Sequence, residues 1–334
     1  MQKFSALIGI FAVAVMAAMS IAAPAQAQAT RTWISGVGDD VNPCSRTAPC
    51  KTFPGAISKT AAGGEIDCLD PAGYGGVTVV KSITLDCGGG IGGQVGSILV
   101  SGTNGITINA ANALVKIRNM SINGIQATGS PGLTGIRFVQ GTALIVEHVA
   151  IFGMGGTSGT NAGVSFEPGN ITAGNAAKLY MLDVEIQYGL ADGIAVHPQN
   201  GGSATGTLNH VTVMNNGGAG LSLSSISLTS GAGSVINVLN SEFAGNANGV
   251  QAITPPSTAV AVVNMTGSAS TMNVTNGVVA NGATATIRLG GDTIGANPTG
   301  LANPNSGTVK SYGDNYFIGN TADGVPNAPN LTKL

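Results

Sequence analysis

Apolar and polar residues alternate with a period of two along most of this chain, and the alternation breaks at recurring places. The break falls at Asn119 ("VKIRNMSI"), His148 ("LIVEHVAI"), Asp183 ("LYMLDVEI"), His210 ("GTLNHVTV"), Asn240 ("INVLNSEF"), Asn264 ("VAVVNMTG"), Gly291 ("IRLGGDTI") and Asp314 ("KSYGDNYF"). Successive breaks lie 29, 35, 27, 30, 24, 27 and 23 residues apart. A period of two within each unit predicts strands, and a unit of 20-odd to 35 residues in fixed order predicts a repeat architecture. Leucine-rich repeats need an L-x-x-L-x-L frame that is missing here, and propeller blades need about forty residues. Three short strands and their turns per unit fit one turn of a parallel β-helix. About ten turns stacked at ~4.8 Å would make a rod some 50 Å long.

The phrase "FAGNANGV" (243–250) returns as "FIGNTADGV" (317–325), with looser forms at 213–221 and 294–301. Stacked bends favour residues that tolerate left-handed backbone, hence Asn, Asp, His or Gly, and their amides can hydrogen-bond along the rod. The Gly before each following strand is expected to permit a sharp turn. The alternation assigns inward pairs before the bend as Val115/Ile117, Leu144/Val146, Leu179/Met181 and Ile236/Val238. After the turn it assigns Ile136/Phe138, Val164/Phe166, Ile194/Val196, Leu221/Leu223 and Val250/Ala252. Ile145, Tyr180, Leu182, Leu239 and Val263 form an apolar outer stripe, expected to lie under long turns such as 153–163. The open end of such a stack needs a cap. "KTFPGAISKTAAGGEI" (51–66) supplies a short helix with Thr52 as N-cap, Pro54 in its first turn and Gly63-Gly64 as its stop.

Composition narrows the role. With 52 Gly, 8% charged residues and a net charge of −2, the chain has nothing that favours nucleic acid as a partner. Lys3, the apolar run 7–23 and the small-residue stretch "APAQAQA" read as a signal peptide cut after Ala27 or Ala29, so the mature chain is expected to be exported without membrane insertion. The sequence thus divides into a signal peptide (1–29), an N-terminal cap (30–64) and a parallel β-helix (65–334). Cys44 and Cys50 frame a loop that a disulfide would close in an oxidising compartment. Cys68 and Cys87 are either a second disulfide or two buried thiols.

The stretch 38–76 carries an Asn-Pro loop, a Lys-Thr-Phe helix start and a Gly-Gly-Glu-Ile strand start in that order. Together with "GIRFVQG", "VEHVAIFG", "KLYMLDVEI" and "SYGDNYFIGN", it resembles secreted proteins of the pectin-lyase-like superfamily, in an uncharacterised bacterial branch. The resemblance implies an all-β, single-stranded right-handed parallel β-helix, and it implies no particular reaction. Pectate lyases of that superfamily need carboxylates that hold Ca²⁺ and a basic group that takes a proton. The polygalacturonase strings are missing in suitable places, since the only "DD", Asp39-Asp40, lies in the cap.

Outward projection leaves one polar cluster, with Glu167 and His197 on adjacent turns and Arg137 one turn above, a candidate proton-transfer site or sugar-binding patch. Asp183, Glu185 and Asp192 are the candidate metal ligands, although Asp183 also belongs to the bend column and Asp192 to a turn. His148 and His210 read as bend residues. Two functions follow: a noncatalytic exported rod that binds polysaccharide or a cell-surface glycan, without a cofactor, or a polysaccharide-active enzyme using Arg137, Glu167 and His197, with Ca²⁺ if it is a lyase.

Overall fold

The structure is a computed structural model that describes residues 28–88, 96–127, 129–156, 161–169, 176–228, 233–254 and 259–333. The signal-peptide core therefore lies outside the described residues. Every strand pairing in the two sheets is parallel, and each strand pairs with its counterpart in the preceding and following turns. One sheet has seventeen strands and the other nine, so the rod has about nine turns rather than ten. The chain is a parallel β-helix.

A turn begins with a strand such as Ala143–Phe152 or Ala177–Gln187, which bends in its middle. Asn119, His148, Asp183, His210 and Asn240 occupy that bend with φ of 58°, 53°, 52°, 52° and 48°. The left-handed residue makes the positions flanking it, Val146 and Val149 for example, both face the core. Two bend assignments need correction. Asn240 is followed in the column by Gly267 (φ 62°), whereas Asn264 lies inside the preceding strand, paired with Asn237. In the last turn Gly313, with φ 83°, holds the left-handed backbone and Asp314 follows it. Glycine takes this conformation without a Cβ penalty, so it outcompetes a neighbouring Asn or Asp.

A second corner follows five residues later, at Gly153, Tyr188, Asn215, Gly245, Met272 and Ala296, and six residues after Gly313 at Gly319, all with positive φ. The residue after it explains the returning phrase. Asn216, Asn246, Asn273 and Asn297 are buried and, with Asn320, form a continuous ladder. Each backbone N–H donates to the Oδ1 of the next Asn, at 3.0 Å for Asn216 to Asn246, 3.0 Å for Asn246 to Asn273, 2.9 Å for Asn273 to Asn297 and 3.0 Å for Asn297 to Asn320. The amide stacking expected at the bend thus runs through the interior of this other corner.

At the first bend the inward column changes chemistry along the rod. Met120, Val149, Val184 and Val211 give way to Ser241, Ser268, Asp292 and Asn315. There the strand splits in two, and side-chain oxygens accept the N–H groups of the turn before, as Asp292 Oδ1 does from Ser268 at 2.8 Å. Asp292 also accepts from the Gly290 N–H at 2.9 Å, and its burial pushes the carboxyl up to about 7.

The third strand has a glycine as its second residue, as at Gly135, Gly163, Gly193, Gly220, Gly249 and Gly277. These glycines do not have left-handed backbones. A Cβ on Gly220, Gly249 or Gly277 would stand 2.7, 2.5 or 2.8 Å from the carbonyl oxygen of the same glycine one turn on. The sequence thus requires Gly here for close approach of turns, and the sharp-turn explanation is replaced.

All the inward pairs named from the alternation are buried. Phe138 and Phe166 stack on adjacent turns with centroids 4.3 Å apart. Val263 is the exception in the outer stripe: it is fully buried and faces inward, flanked by outward Val262 and Asn264. Tyr180 stays 42% exposed, so the stripe is not fully covered.

The capping helix is shorter than expected, Phe53–Ile57, with the Thr52 hydroxyl accepting from the Gly55 N–H at 3.0 Å. Gly63 and Gly64 lie inside the strand Thr60–Cys68 instead of ending a helix. Phe53 and Ala56 are buried, and Phe53 meets Tyr74 edge to face. The strand Ala29–Ile34 pairs with Thr60–Cys68, so the sheet begins within the segment assigned to the cap. Disulfides join Cys44 to Cys50 and Cys68 to Cys87, the second linking neighbouring turns. No helix among the described residues is long and apolar enough to cross a membrane.

Candidate functional site

The nine-stranded sheet carries a polar cluster on its outer face. Its strands Thr134–Gln140, Ala162–Phe166, Asp192–Val196, Ala219–Ser224 and Asn248–Ile253 align Arg137, Ser165, Ala195, Ser222 and Gln251 in one outward column. The small members Ser165, Ala195 and Ser222 are buried, and Arg137 and Gln251 are only partly so. Glu167 and His197 extend from the ends of two of these strands.

The structure joins Arg137 to Glu167. The guanidinium donates from Nη2 to Oε2 at 3.1 Å and from Nε to Oε1 at 3.3 Å, and Glu167 also accepts the Ser165 hydroxyl. Glu167 is 5% exposed, so its charge is compensated by this two-point pair rather than by water. His197 turns the other way. Its Nε2 lies 3.1 Å from Ser222 Oγ, and Gln251 Nε2 donates to the same oxygen at 3.0 Å. Glu167 touches the imidazole only through its field.

Asp192 also joins this face. It accepts the Ala219 N–H at 2.7 Å and hydrogen-bonds Ser222. Burial raises the Asp192 carboxyl above the usual range, against the Ala219 N–H and the nearby imidazole. Burial lowers His197, against the opposing pull of Asp192 and Glu167. Burial thus favours the neutral ring, whose Nε2 faces the Ser222 hydroxyl.

Asp183, Glu185 and Asp192 are not brought together. Asp183 sits at the bend with Oδ2 3.2 Å from His148 Nε2, Glu185 accepts from Gln187, and Asp192 belongs to the other sheet. A different trio, Glu65, Asp67 and Asp86, has oxygens within 4.8 Å of one another. Arg31 pairs with Glu65 at 3.1 Å and with Asp67, and Arg118 pairs with Asp86 at 2.8 Å and Glu65 at 3.6 Å. Asn119 and the Gly88 N–H take the other Asp86 oxygen. Two guanidinium groups on these oxygens make an ion-pair network, which does not fit a Ca²⁺ site.

A second feature lies on the bend. His210 and Asn240 are followed in the column by Gly267 and Gly291, which carry no side chain to fill the space. An open groove of about 380 Å³ results, lined by His210, Thr212, Asn240, Glu242, Ala269 and Thr293 along with the glycines. Ser222, Gln251 and this groove were not singled out from sequence. A small residue in an outward column and a glycine in a bend column give no chemical signal until the turns are stacked.

No protein-family model matches the chain, and a search of curated proteins gives no match. Among solved structures, pectate lyase Pel9A superposes over 85% of this chain and 80% of its own, with a TM-score of 0.51 at 15% identity. The likeness shows a parallel β-helix fold of the kind that pectate lyase Pel9A has. The A-module of the Azotobacter vinelandii mannuronan C-5 epimerase AlgE4 covers 81% of this chain and 91% of its own, with a TM-score of 0.42 at 13% identity. The GH136 lacto-N-biosidase from Eubacterium ramulus covers 86% and 68%, with a TM-score of 0.34 at 11% identity. At such identities the pectin-lyase-like likeness speaks for architecture alone.

Proposed function

We propose that this protein is an exported β-helix rod that binds a polysaccharide in the groove along its bend without cleaving it. The observation that carries the reading is the replacement of side-chain-bearing bend residues by Gly267 and Gly291, which opens about 380 Å³ beside His210, Asn240 and Glu242. That volume suits a small part of a glycan chain. The exposed donors and acceptors of an imidazole, an amide, a carboxylate and two threonine hydroxyls match sugar hydroxyls, and the regular spacing of turns suits a repeating ligand. Two disulfides, the signal-peptide pattern and the absence of a membrane-crossing helix among the described residues support export.

A polysaccharide-cleaving set of Arg137, Glu167 and His197 has less support. Arg137 and Glu167 are locked to each other, which leaves no free acid–base pair there. A glycan array of the exported chain, followed by affinity electrophoresis, tests the rod. Glu242→Ala is expected to weaken binding about tenfold, and Ala269→Trp to block the groove by bulk. Unchanged retardation in both variants, or no glycan retained by the native chain, would reject it.

A further inference from the structure

We propose that Ser222, with His197, is a nucleophile for short-chain esters, a hydrolytic site separate from the glycan groove and independent of it. Two contacts define it. Ser222 Oγ lies 3.1 Å from His197 Nε2, within range for proton transfer, and accepts from Gln251 Nε2 at 3.0 Å. Gln251 donates to Oγ, so the hydroxyl proton has two acceptors within reach, the Asp192 carboxylate and the imidazole in its Nδ1–H tautomer. Asp192 hydrogen-bonds Ser222, and its field favours an imidazolium as it forms. The three residues come from two adjacent turns: Asp192 opens the strand Asp192–Val196, His197 follows its end, and Ser222 lies within Ala219–Ser224.

Position sets the substrate class. Ser222 is 2% exposed at the floor of the column, and His197 and Gln251 form a part-exposed rim. A nucleophile so recessed admits a small acyl group such as acetyl more readily than a bulky one. In the first step Ser222 Oγ bonds to the ester carbonyl carbon while its proton passes to His197 Nε2. The ester C–O bond then breaks, and the departing alkoxide takes that proton. Water completes the cycle: its oxygen bonds to the acyl carbon, His197 takes its proton, and the Oγ–carbon bond breaks as the proton returns to Oγ, releasing the free acid. The Gln251 amide supplies an N–H beside the acyl oxygen. Ser224, two residues on, has its hydroxyl oxygen engaged by the Ile226 N–H and serves as the control.

The test uses the full exported chain with p-nitrophenyl acetate and a short fluorophosphonate. One probe is expected to attach per chain, at Ser222 by peptide mass. Ser222→Ala should abolish labelling, and His197→Asn should slow it by about a hundredfold or more, each with an unchanged melting transition, while Ser224→Ala labels normally. In the native chain the labelling rate should rise with pH to a plateau set by the imidazole, and that rise should vanish in His197→Asn. Labelling that persists in Ser222→Ala, a label on another residue, or no acylation of the native chain above the Ser222→Ala level would overturn the proposal. Glycan retention is read on the same variants, and its loss or survival leaves this outcome unaffected.

Discussion

Asp292 shows how one residue in a stacked core carries a pH dependence. Its carboxyl has no exposed surface, and two backbone N–H groups donate to it, yet burial holds it at about 7 against an ordinary 3.8. Desolvation outweighs the two donors, and Asp314 adds to the rise. Between those values the folded chain keeps a proton that the unfolded chain releases. The contribution to stability is therefore full below about pH 4 and is lost as pH rises to 7, by a few kcal/mol at roughly 1.4 kcal/mol per unit. Asp292→Ser, which repeats the residue found at Ser241 and Ser268, should remove this slope in urea melts taken from pH 4.5 to 7.5. A slope equal to that of the native chain would contradict the burial argument. At this scale the sequence was read well where chemistry is unambiguous. His148, Asp183 and His210 took their bend positions because few other side chains accept left-handed backbone. Asn264 misled because Asn favours turns in general, and the glycine three residues later bends more cheaply.

Elements are held together by what repeats at each corner. The inward columns could be read from alternation, since one buried face demands apolar residues at every second position. The asparagine ladder was visible as a returning phrase, but only the stacking of turns shows which corner it serves. Asn273 is central to it. Its Oδ1 accepts the Asn246 N–H at 3.0 Å, and its Nδ2 donates to the Phe243 carbonyl at 3.2 Å and to Asn297 Oδ1 at 3.0 Å. Asn273→Ala leaves those buried partners unmet and should cost about 3 kcal/mol in chemical denaturation, allowing 1–3 kcal/mol for each orphaned group without full additivity. Asn320 stands at the last, less buried rung, and Asn320→Ala should cost about 1 kcal/mol. Equal losses at both rungs would show that the ladder does not act through burial. Ser222, unlike its partner His197, is not legible in the sequence, for the converse reason. A floor of Ser, Ala and Ser carries no pattern until its rim is in place.

The whole molecule is a stack with two different ends. The helix Phe53–Ile57 and the strand Ala29–Ile34 close the first turn. At the other end the chain folds back beside its final strand: the Asn327 N–H donates to the Val309 carbonyl at 2.7 Å, the Leu331 N–H to that of Ser311 at 2.8 Å, and Lys333 pairs with Asp314 at 2.6 Å. Exposed strand edges recruit other chains. Deleting residues 327–334 should uncover the edge of Thr308–Ser311 and produce association that grows with concentration in light scattering. A truncated chain that stays as monodisperse as the native one would show that the fold-back is not needed as a cover.

The spacing between the two corners has a further consequence. From His148 to Gly153, Asp183 to Tyr188, His210 to Asn215, Asn240 to Gly245, Gly267 to Met272 and Gly291 to Ala296 it is always five residues, whereas bend-to-bend separations run from 24 to 35. In these turns every gain or loss of chain therefore falls outside that stretch. The loops that absorb it are sites where foreign peptides can be grafted and displayed in a row, at intervals set by the backbone itself.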